Sequence, residues 1–262
     1  MTMSKQSLYI IKIGGNVIND EMTLSSFLSD FSQMEGLKIL VHGGGKKATT
    51  MANDMGLEPK MIGGRRITDK ANLEIVTMIY AGLLNKNIVA ELQLNNCNAI
   101  GLSGADANCI LAHKRIIKDI DYGFAGDVDA INSETIKLFL DNKMTPVFCA
   151  ITHDKKGQLL NTNADTISSE IAKALSTDYQ VELVYCFEKN GVLEDVNNDN
   201  SVIEWINKKT YEDLKKKNII AEGMLPKLKN CFDALENGVK KVVIGNPKVI
   251  SNRNQKYTSL IL

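Results

Sequence analysis

The sequence predicts an α/β fold built on a mainly parallel sheet, and three observations carry that prediction. Apolar runs too continuous for half-exposed strands recur at Leu8–Ile11, Leu37–Val41, Pro146–Ile151 and Val181–Cys186. Runs of this kind suit strands covered on both faces. Stretches with apolar residues at helical spacing alternate with them, the order of a βαβ chain. Glycine clusters follow the first two strands, at Gly14-Gly15 and Gly43-Gly44-Gly45, at the strand ends where open α/β sheets bind ligands.

Taken in order, the first strand ends in Lys12-Ile13-Gly14-Gly15. From about Met22 to Met34, Leu24, Phe27, Leu28 and Phe31 recur at helical spacing. The second strand runs into His42-Gly43-Gly44-Gly45, and a helix to about Met55 completes a βαβα unit. Residues 57–67 carry Pro59, Gly63 and Gly64 and read as an irregular hairpin. Thr68 or Asp69 then caps a long helix with Leu73, Val76, Tyr80 and Leu84 as its buried stripe. That helix is long enough to serve as a surface for pairing with a second copy. Ala99–Leu102 is a short strand before the turn Ser103-Gly104-Ala105-Asp106, and residues 110–128 read as hairpins punctuated by Gly123 and Gly126.

A helix from about Ser133 leads into Pro146–Ile151, expected as one buried strand. Asn161-Thr162-Asn163-Ala164-Asp165 opens a helix with Ile167, Ile171, Ala174 and Leu175 inward. Two lobes on one continuous sheet are expected, residues 1–177 and 178–262. The second holds a strand at Val181–Cys186, a turn at Glu188–Gly191 and a polar loop at Asp195–Asn200. Helices near Thr210–Lys217 and Met224–Leu235 and a strand at Val242–Ile244 complete it.

Composition narrows the function. The 31 basic and 31 acidic residues cancel, so no charge surplus points to nucleic acid or an anionic membrane. Lys215-Lys216-Lys217 reads as a solvated helix end. Five scattered cysteines without a C-x-x-C pair argue against a disulfide framework or a zinc site and fit a reducing cytosol. Lys12 interrupts the first apolar run too early for a signal peptide, and no segment approaches the roughly 20 apolar residues of a membrane span. The expectation is a soluble, cytoplasmic protein with no protein-bound metal and no membrane or nucleic-acid partner.

The chemistry-bearing residues sit at the strand ends. A lysine closing a buried strand is out of place unless its ammonium meets an anion, and the glycines after Lys12 leave backbone N–H groups free to approach one. Neither a Walker P-loop nor a dinucleotide fingerprint is present. Gly43-Gly44-Gly45 offers amides and the positive dipole end of a helix. Arg65-Arg66 supplies a guanidinium able to clamp a carboxylate, without deciding which of the two does so. Asn161, Asn163 and Asp165 are more polar groups than one helix cap needs. In Gly223-Met224-Leu225-Pro226-Lys227, proline suits a first helical turn, but the lysine meets the wrong end of the dipole unless a phosphate lies between.

In this order the pieces resemble the amino acid kinase family, from about residue 8 to residue 262. The resemblance rests on K-I-G-G at Lys12, H-G-G-G at His42, G-R-R-I-T around Arg66 and G-L-S-G-A-D at Gly101. G-F-A-G-D at Gly123, N-T-N-A-D at Asn161 and G-M-L-P-K ending at Lys227 complete it. It implies a three-layer αβα sandwich of the carbamate kinase-like kind. The activity it implies is phosphoryl transfer from ATP with Mg²⁺ to the γ-carboxylate of N-acetylglutamate, as in arginine synthesis. Lys12 and Lys227 match the family lysines that stabilise the transferring group, and Asp165 the aspartate that holds them. Gly44, Gly45, Arg66 and Asn161 match acceptor positions, with Arg66 on the α-carboxylate. Gly14, Gly15, Glu188 and Gly191 fall at nucleotide and phosphate positions. Residues 1–177 would then hold the N-acylated glutamate and the pairing surface, and residues 178–262 the ATP.

Two departures stand out. The family's T/S-D-V-x-G-V appears as Phe187-Glu188-Lys189-Asn190-Gly191-Val192, and its late G-T as Tyr257-Thr258. No helical extension precedes the first strand; in this family that extension accompanies arginine-inhibited hexamers, so an arginine-insensitive homodimer is expected. The acceptor stays open between N-acetylglutamate and another acylated amino acid such as N-succinylglutamate or N-acetylaminoadipate. An inactive nucleotide or amino-acid sensor is the alternative of a different class.

Overall fold

The computed structural model describes residues 5–62, 65–117, 119–216, 219 and 224–262. Gly63, Gly64, Lys217 and Gly223, named above, lie outside the described residues. In chain order the strands are β1 (Ser7–Ile13), β2 (Leu37–His42), β3 (Met61–Ile62), β4 (Arg65–Arg66), β5 (Ala99–Leu102), β6 (Ile110–Lys114), β7 (Ala125–Ile131), β8 (Thr145–Cys149), β9 (Ile151–His153), β10 (Leu159–Thr162), β11 (Gln180–Cys186), β12 (Trp205–Ile206), β13 (Lys241–Gly245) and β14 (Thr258–Leu260). The helices are α1 (Gly15–Asn19), α2 (Glu21–Gln33), α3 (Gly45–Asp54), α4 (Lys70–Thr77), α5 (Asn85–Leu94), α6 (Ser133–Asp141), α7 (Ala164–Leu175), α8 (Lys208–Lys216) and α9 (Leu225–Glu236).

Eight strands make one sheet in the order β12-β14-β13-β11-β1-β2-β8-β5. All neighbours are parallel except β13 and β14. The sheet is continuous across residue 178, because β11 pairs with β1 from Ser7↔Gln180 to Ile13↔Cys186. Leu8, Ile10, Ile11 and Ile13 are fully buried, which is why that run carries no polar alternation. Helices α6, α7 and α9 pack over one face, while α2 and α5 pack together over the other. The result is the three-layer sandwich.

The sequence left one structure unannounced. Strands β10, β7, β6 and β9 close into a small four-stranded barrel beside the sheet. The stretch Pro146–Ile151 is not one strand, as expected, but breaks at Ala150: β8 stays in the sheet and β9 enters the barrel. Both sides of the break are buried and apolar, so hydropathy does not mark it. The crossing is held by Gly104 N–H donating to Ile151 O (2.7 Å) and Thr162 N–H to Ala150 O (3.1 Å).

The long helix is continuous over the 25 residues Lys70–Leu94, capped by Asp69. Contrary to the sequence expectation, this segment has the length and composition of a membrane span. It is a core helix, however: Leu73, Val76, Tyr80, Leu84, Ile88 and Leu92 are buried, and Lys70, Glu74, Lys86 and Gln93 are on its exposed side. Its middle, Met78–Leu84, widens into a π-helical turn. That insertion rotates Tyr80 and Leu84 toward the glycine loop after β2, a placement π-turns often serve.

Candidate active site

The carboxyl ends of β1 and β2 open on a cavity of about 670 Å³. Of the residues matched to family site positions, seven line it: Lys12, Gly15, Gly44, Gly45, Arg66, Asn161 and Asp165; Gly43, Arg65 and Asn163 line it as well. At one edge Lys12 Nζ lies 2.7 Å from Asp165 Oδ1, and Lys227 Nζ lies 3.7 Å from Oδ2. The three side chains keep only 13, 19 and 16 % exposure for Lys12, Asp165 and Lys227; Lys12 and Asp165 line the cavity, whereas Lys227 pairs with Asp165 without lining it. Burial by itself would raise the Asp165 pKa, but the Lys12 and Lys227 charges beside it hold it below the ordinary carboxylate value. Asp165 therefore stays ionised at neutral pH, and two ammonium groups share one carboxylate.

Distant elements build this cluster. Lys12 comes from β1, whose register sets it beside Tyr185 of β11. Asp165 sits in the first turn of α7, where Asn163 is the cap, accepting from Thr166 N (3.1 Å). The Tyr185 hydroxyl donates to Asp165 O at 3.2 Å and pins that turn. Lys227 belongs to α9, which packs on α7 through Lys173–Asp233 (2.8 Å) and Ser169 Oγ donating to Asn230 O (3.4 Å). Capping thus explains Asn163 but neither Asn161 nor Asp165. Asn161 lies on β10, and its Nδ2 donates to Thr68 Oγ1 at 3.0 Å.

Of the two adjacent arginines, Arg66 is the one that turns inward. It is 7 % exposed, while its neighbour Arg65 is exposed. The Arg66 guanidinium donates to Gly45 O (3.0 Å) and Thr49 Oγ1 (2.6 Å) on α3, which aims it along the cavity wall. Gly44 takes φ +153°, in a region that favours glycine, and a β-carbon there would lie 2.9 Å from Tyr80 Cδ1 and would overlap Leu84. His42, below the loop, is a buried orienting residue. Its Nδ1–H donates to Gly43 O (2.8 Å), and Nε2 accepts from Asn85 Nδ2 (3.1 Å). Burial depresses its pKa to about 4, so the ring is neutral.

On the nucleotide side the expectations divide. Gly14 does not keep a free amide, because its N–H donates to Cys186 O at 2.9 Å. Gly15 begins α1 and lines the cavity. Glu188 accepts from Asn16 Nδ2 at 2.7 Å, joining the turn after β11 to α1. Gly191 does not reach the cavity; a β-carbon on it would meet Thr258 Oγ1 at 2.6 Å and Val202 Cγ1 at 2.7 Å, so packing demands glycine there. Thr258 accepts from Val192 N (2.8 Å) and donates to Ile203 O (2.7 Å), a role that explains the threonine of Tyr257-Thr258. Lys189 pairs with Asp199 at 2.7 Å across the polar loop.

Three cavity-side residues escaped the sequence reading. Lys46, in the first turn of α3, lines the cavity and bonds to Asn16, so a chain Lys46–Asn16–Glu188 ties α3 to α1 and to the turn after β11. The signal was available: Lys46, like Lys227, is a cation at the unfavourable end of a helix. Tyr80 had no signal beyond a core position, because nothing in its spacing announces a π-turn.

Mg²⁺ prefers oxygen ligands and keeps several waters. Among the described residues no group of three or more acidic, histidine or cysteine side chains converges, and both Asp165 oxygens face lysines. These residues fit a metal carried in on nucleotide phosphates rather than one caged by the protein.

Comparison with known proteins agrees with this geometry. An acetylglutamate kinase from Cytophaga hutchinsonii is 54% identical over 240 residues, covering 91% of this chain and 91% of its own. One from Phocaeicola vulgatus is 52% identical over 240 residues, covering 92% and 93%. Among solved structures, smu.665 from Streptococcus mutans superposes with a TM-score of 0.77 at 26% identity, over 97% of this chain and 98% of that one. A Giardia carbamate kinase shares the fold at TM-score 0.68 and 15% identity, over 99% of each chain. The sequence profile of the amino acid kinase family matches residues 7–246. The chain belongs to the amino acid kinase family.

Proposed function

We propose that the chain transfers the γ-phosphoryl group of ATP to the γ-carboxylate of N-acetyl-L-glutamate, in arginine synthesis. One observation carries this reading: two lysines from distant parts of the chain meet on one aspartate at the edge of a cavity whose far end holds a buried arginine. The similarity to acetylglutamate kinases over nine-tenths of the chain supports the choice of acceptor.

A carboxylate is already ionised at neutral pH, so the nucleophile needs no general base. The difficulty is bringing two anions into line and neutralising the charge of the moving group. Arg66 clamps the α-carboxylate of the acceptor, and Gly44, Gly45 and Asn161 hold its acyl-amide end. Lys12 and Lys227 act on the transferring phosphoryl group, and Asp165 fixes their positions while offsetting their mutual repulsion. Gly15 approaches the phosphates, and Glu188 steadies the nucleotide turn through Asn16. Mg²⁺ on the phosphates supplies further neutralisation. Residues 1–177 form the acceptor lobe and residues 178–262 the ATP lobe of a cytosolic enzyme. Exposed Met78 and Leu83 on the long helix support a homodimer paired across it; a sedimentation mass of a single chain contradicts that pairing.

A second acceptor has its own support. Arg65 and Arg115 line the same end of the cavity as Arg66, although Arg115 is paired with Asp127. Extra cations suit an acyl group bearing its own carboxylate, as in N-succinyl-L-glutamate. Coupled ADP-release assays with N-acetyl-L-glutamate, N-succinyl-L-glutamate and N-acetyl-aminoadipate decide the acceptor. Turnover with the first is expected, and inactivity on all three contradicts the kinase reading.

A further inference from the structure

The family's T/S-D-V turn is replaced here by Phe187-Glu188-Lys189, and the geometry suggests what the phenylalanine does. Lys227 Nζ lies 5.3 Å from the Phe187 ring centroid and 5.7 Å from that of Tyr185. Both rings come from the end of β11, Tyr185 inside it and Phe187 just beyond. Tyr185 is 1 % exposed and tied to Asp165 O through its hydroxyl. The Phe187 backbone is fixed by its N–H donating to Gly245 O at 3.0 Å. The Phe187 ring is partly buried and packs against the hydrophobic core.

Lys227 needs such support. It sits in the first turn of α9, where the helix dipole opposes a cation, and among the described residues no side chain caps that end. Its carboxylate partner is 3.7 Å away and closer to Lys12, at 2.7 Å. Asp165 alone is thus an unequal anchor for the two lysines. An aromatic face attracts an ammonium through its quadrupole and excludes water from that side without neutralising the charge.

We propose that Phe187 and Tyr185 form a two-walled aromatic seat for Lys227. They act as positioning residues that hold its ammonium toward Asp165. The seat rests on the kinase reading, since it matters to turnover only if Lys227 acts on the phosphoryl group. A preorganised charge is worth more than one that must move into place during the reaction.

The test uses the full chain with MgATP and N-acetyl-L-glutamate, and separates the face of the ring from its bulk. Phe187→Leu keeps apolar bulk and removes the quadrupole. It should lower kcat about three- to thirtyfold, the range spanned by a partly desolvated cation–π contact, with both KM values within about twofold. Phe187→Tyr should retain kcat. Trifluorophenylalanine at position 187, nearly the same shape with a weakened face, should fall toward the leucine variant. In a Lys227→Met background, Phe187→Leu should have no further effect. Wild-type kcat in the leucine or fluorinated protein overturns the seat, as does equal loss with tyrosine and leucine. Lys227→Met in the otherwise unchanged chain separates the two claims. Near-normal turnover there overturns both the kinase role of Lys227 and the seat, whereas lost turnover with a flat Phe187 series overturns the seat alone.

Discussion

Two lysines interrupt the apolar runs of adjacent strands, Lys12 in β1 and Lys38 in β2, and they end in opposite circumstances. Lys38 is 8 % exposed, and its ammonium donates to Phe31 O, Ser32 O and Met34 O, each at 2.8 Å. Those carbonyls close the last turn of α2, so the cation satisfies orphan acceptors at the negative end of a helix. All three of its donors are used by the protein. Lys12 has one carboxylate, shares it with Lys227, and faces a cavity. The difference teaches that an inward lysine is not itself a mark of function. The mark is a cation with donors left over where a ligand can enter.

Substitutions at the two positions should separate these roles. Lys12→Met removes one of two charges on the phosphoryl group and should lower kcat on the order of 10²–10³-fold, by analogy with loss of one preorganised donor. Stability should fall too, because buried Asp165 keeps only the more distant Lys227, but by less than activity, since repulsion between the two lysines is relieved. Steady-state kinetics and a thermal melt, read together, check both halves of the statement. Lys38→Met should do the reverse. Turnover per folded molecule should be retained, while stability falls by about 2–3 kcal/mol, because buried carbonyls lose a charged donor. For a chain of this size the melt should drop by roughly 4–12 °C. A Lys38→Met protein that is stable but inactive would break the comparison.

The smallest effect sharpens it through pH. His42 has a folded pKa of about 4 against an ordinary value near 6.5, so the unfolded chain binds the proton first as pH falls. The stability its neutral ring contributes is complete above pH 6.5 and is lost progressively down to about 4. Between pH 7 and 5.5 the loss should be about 1 kcal/mol, and His42→Asn should flatten that slope in denaturant titrations. Asp165 should add nothing over this window, since its pKa is held below the ordinary carboxylate value and it stays ionised in both limits.

The sequence made the sheet legible because its inner strands are buried on both faces and leave no alternation to misread. It also marked Lys12, Gly44, Gly45, Asn161, Asp165 and Lys227, each at a strand end or helix start where a polar or glycine residue lacks a local reason. Closure of the barrel was hidden, because the break at Ala150 joins two equally apolar segments. Free amides were expected at both Gly14 and Gly15, yet Gly14 spends its N–H on Cys186, a contact between strands 172 residues apart that local spacing does not encode. Tyr80 depends on a π-turn, and the seat around Lys227 depends on β11 and α9 meeting. Such features follow from tertiary contact and have no periodicity of their own.

The most direct test is a crystal structure with ADP, Mg²⁺, aluminium fluoride and N-acetyl-L-glutamate bound. The Lys12 and Lys227 ammonium groups should both lie about 2.7–3.1 Å from fluorides of the same transferring-group mimic, with Asp165 still between them and Arg66 on the α-carboxylate. If either ammonium points away from that group, the shared-phosphoryl account of the two lysines is contradicted.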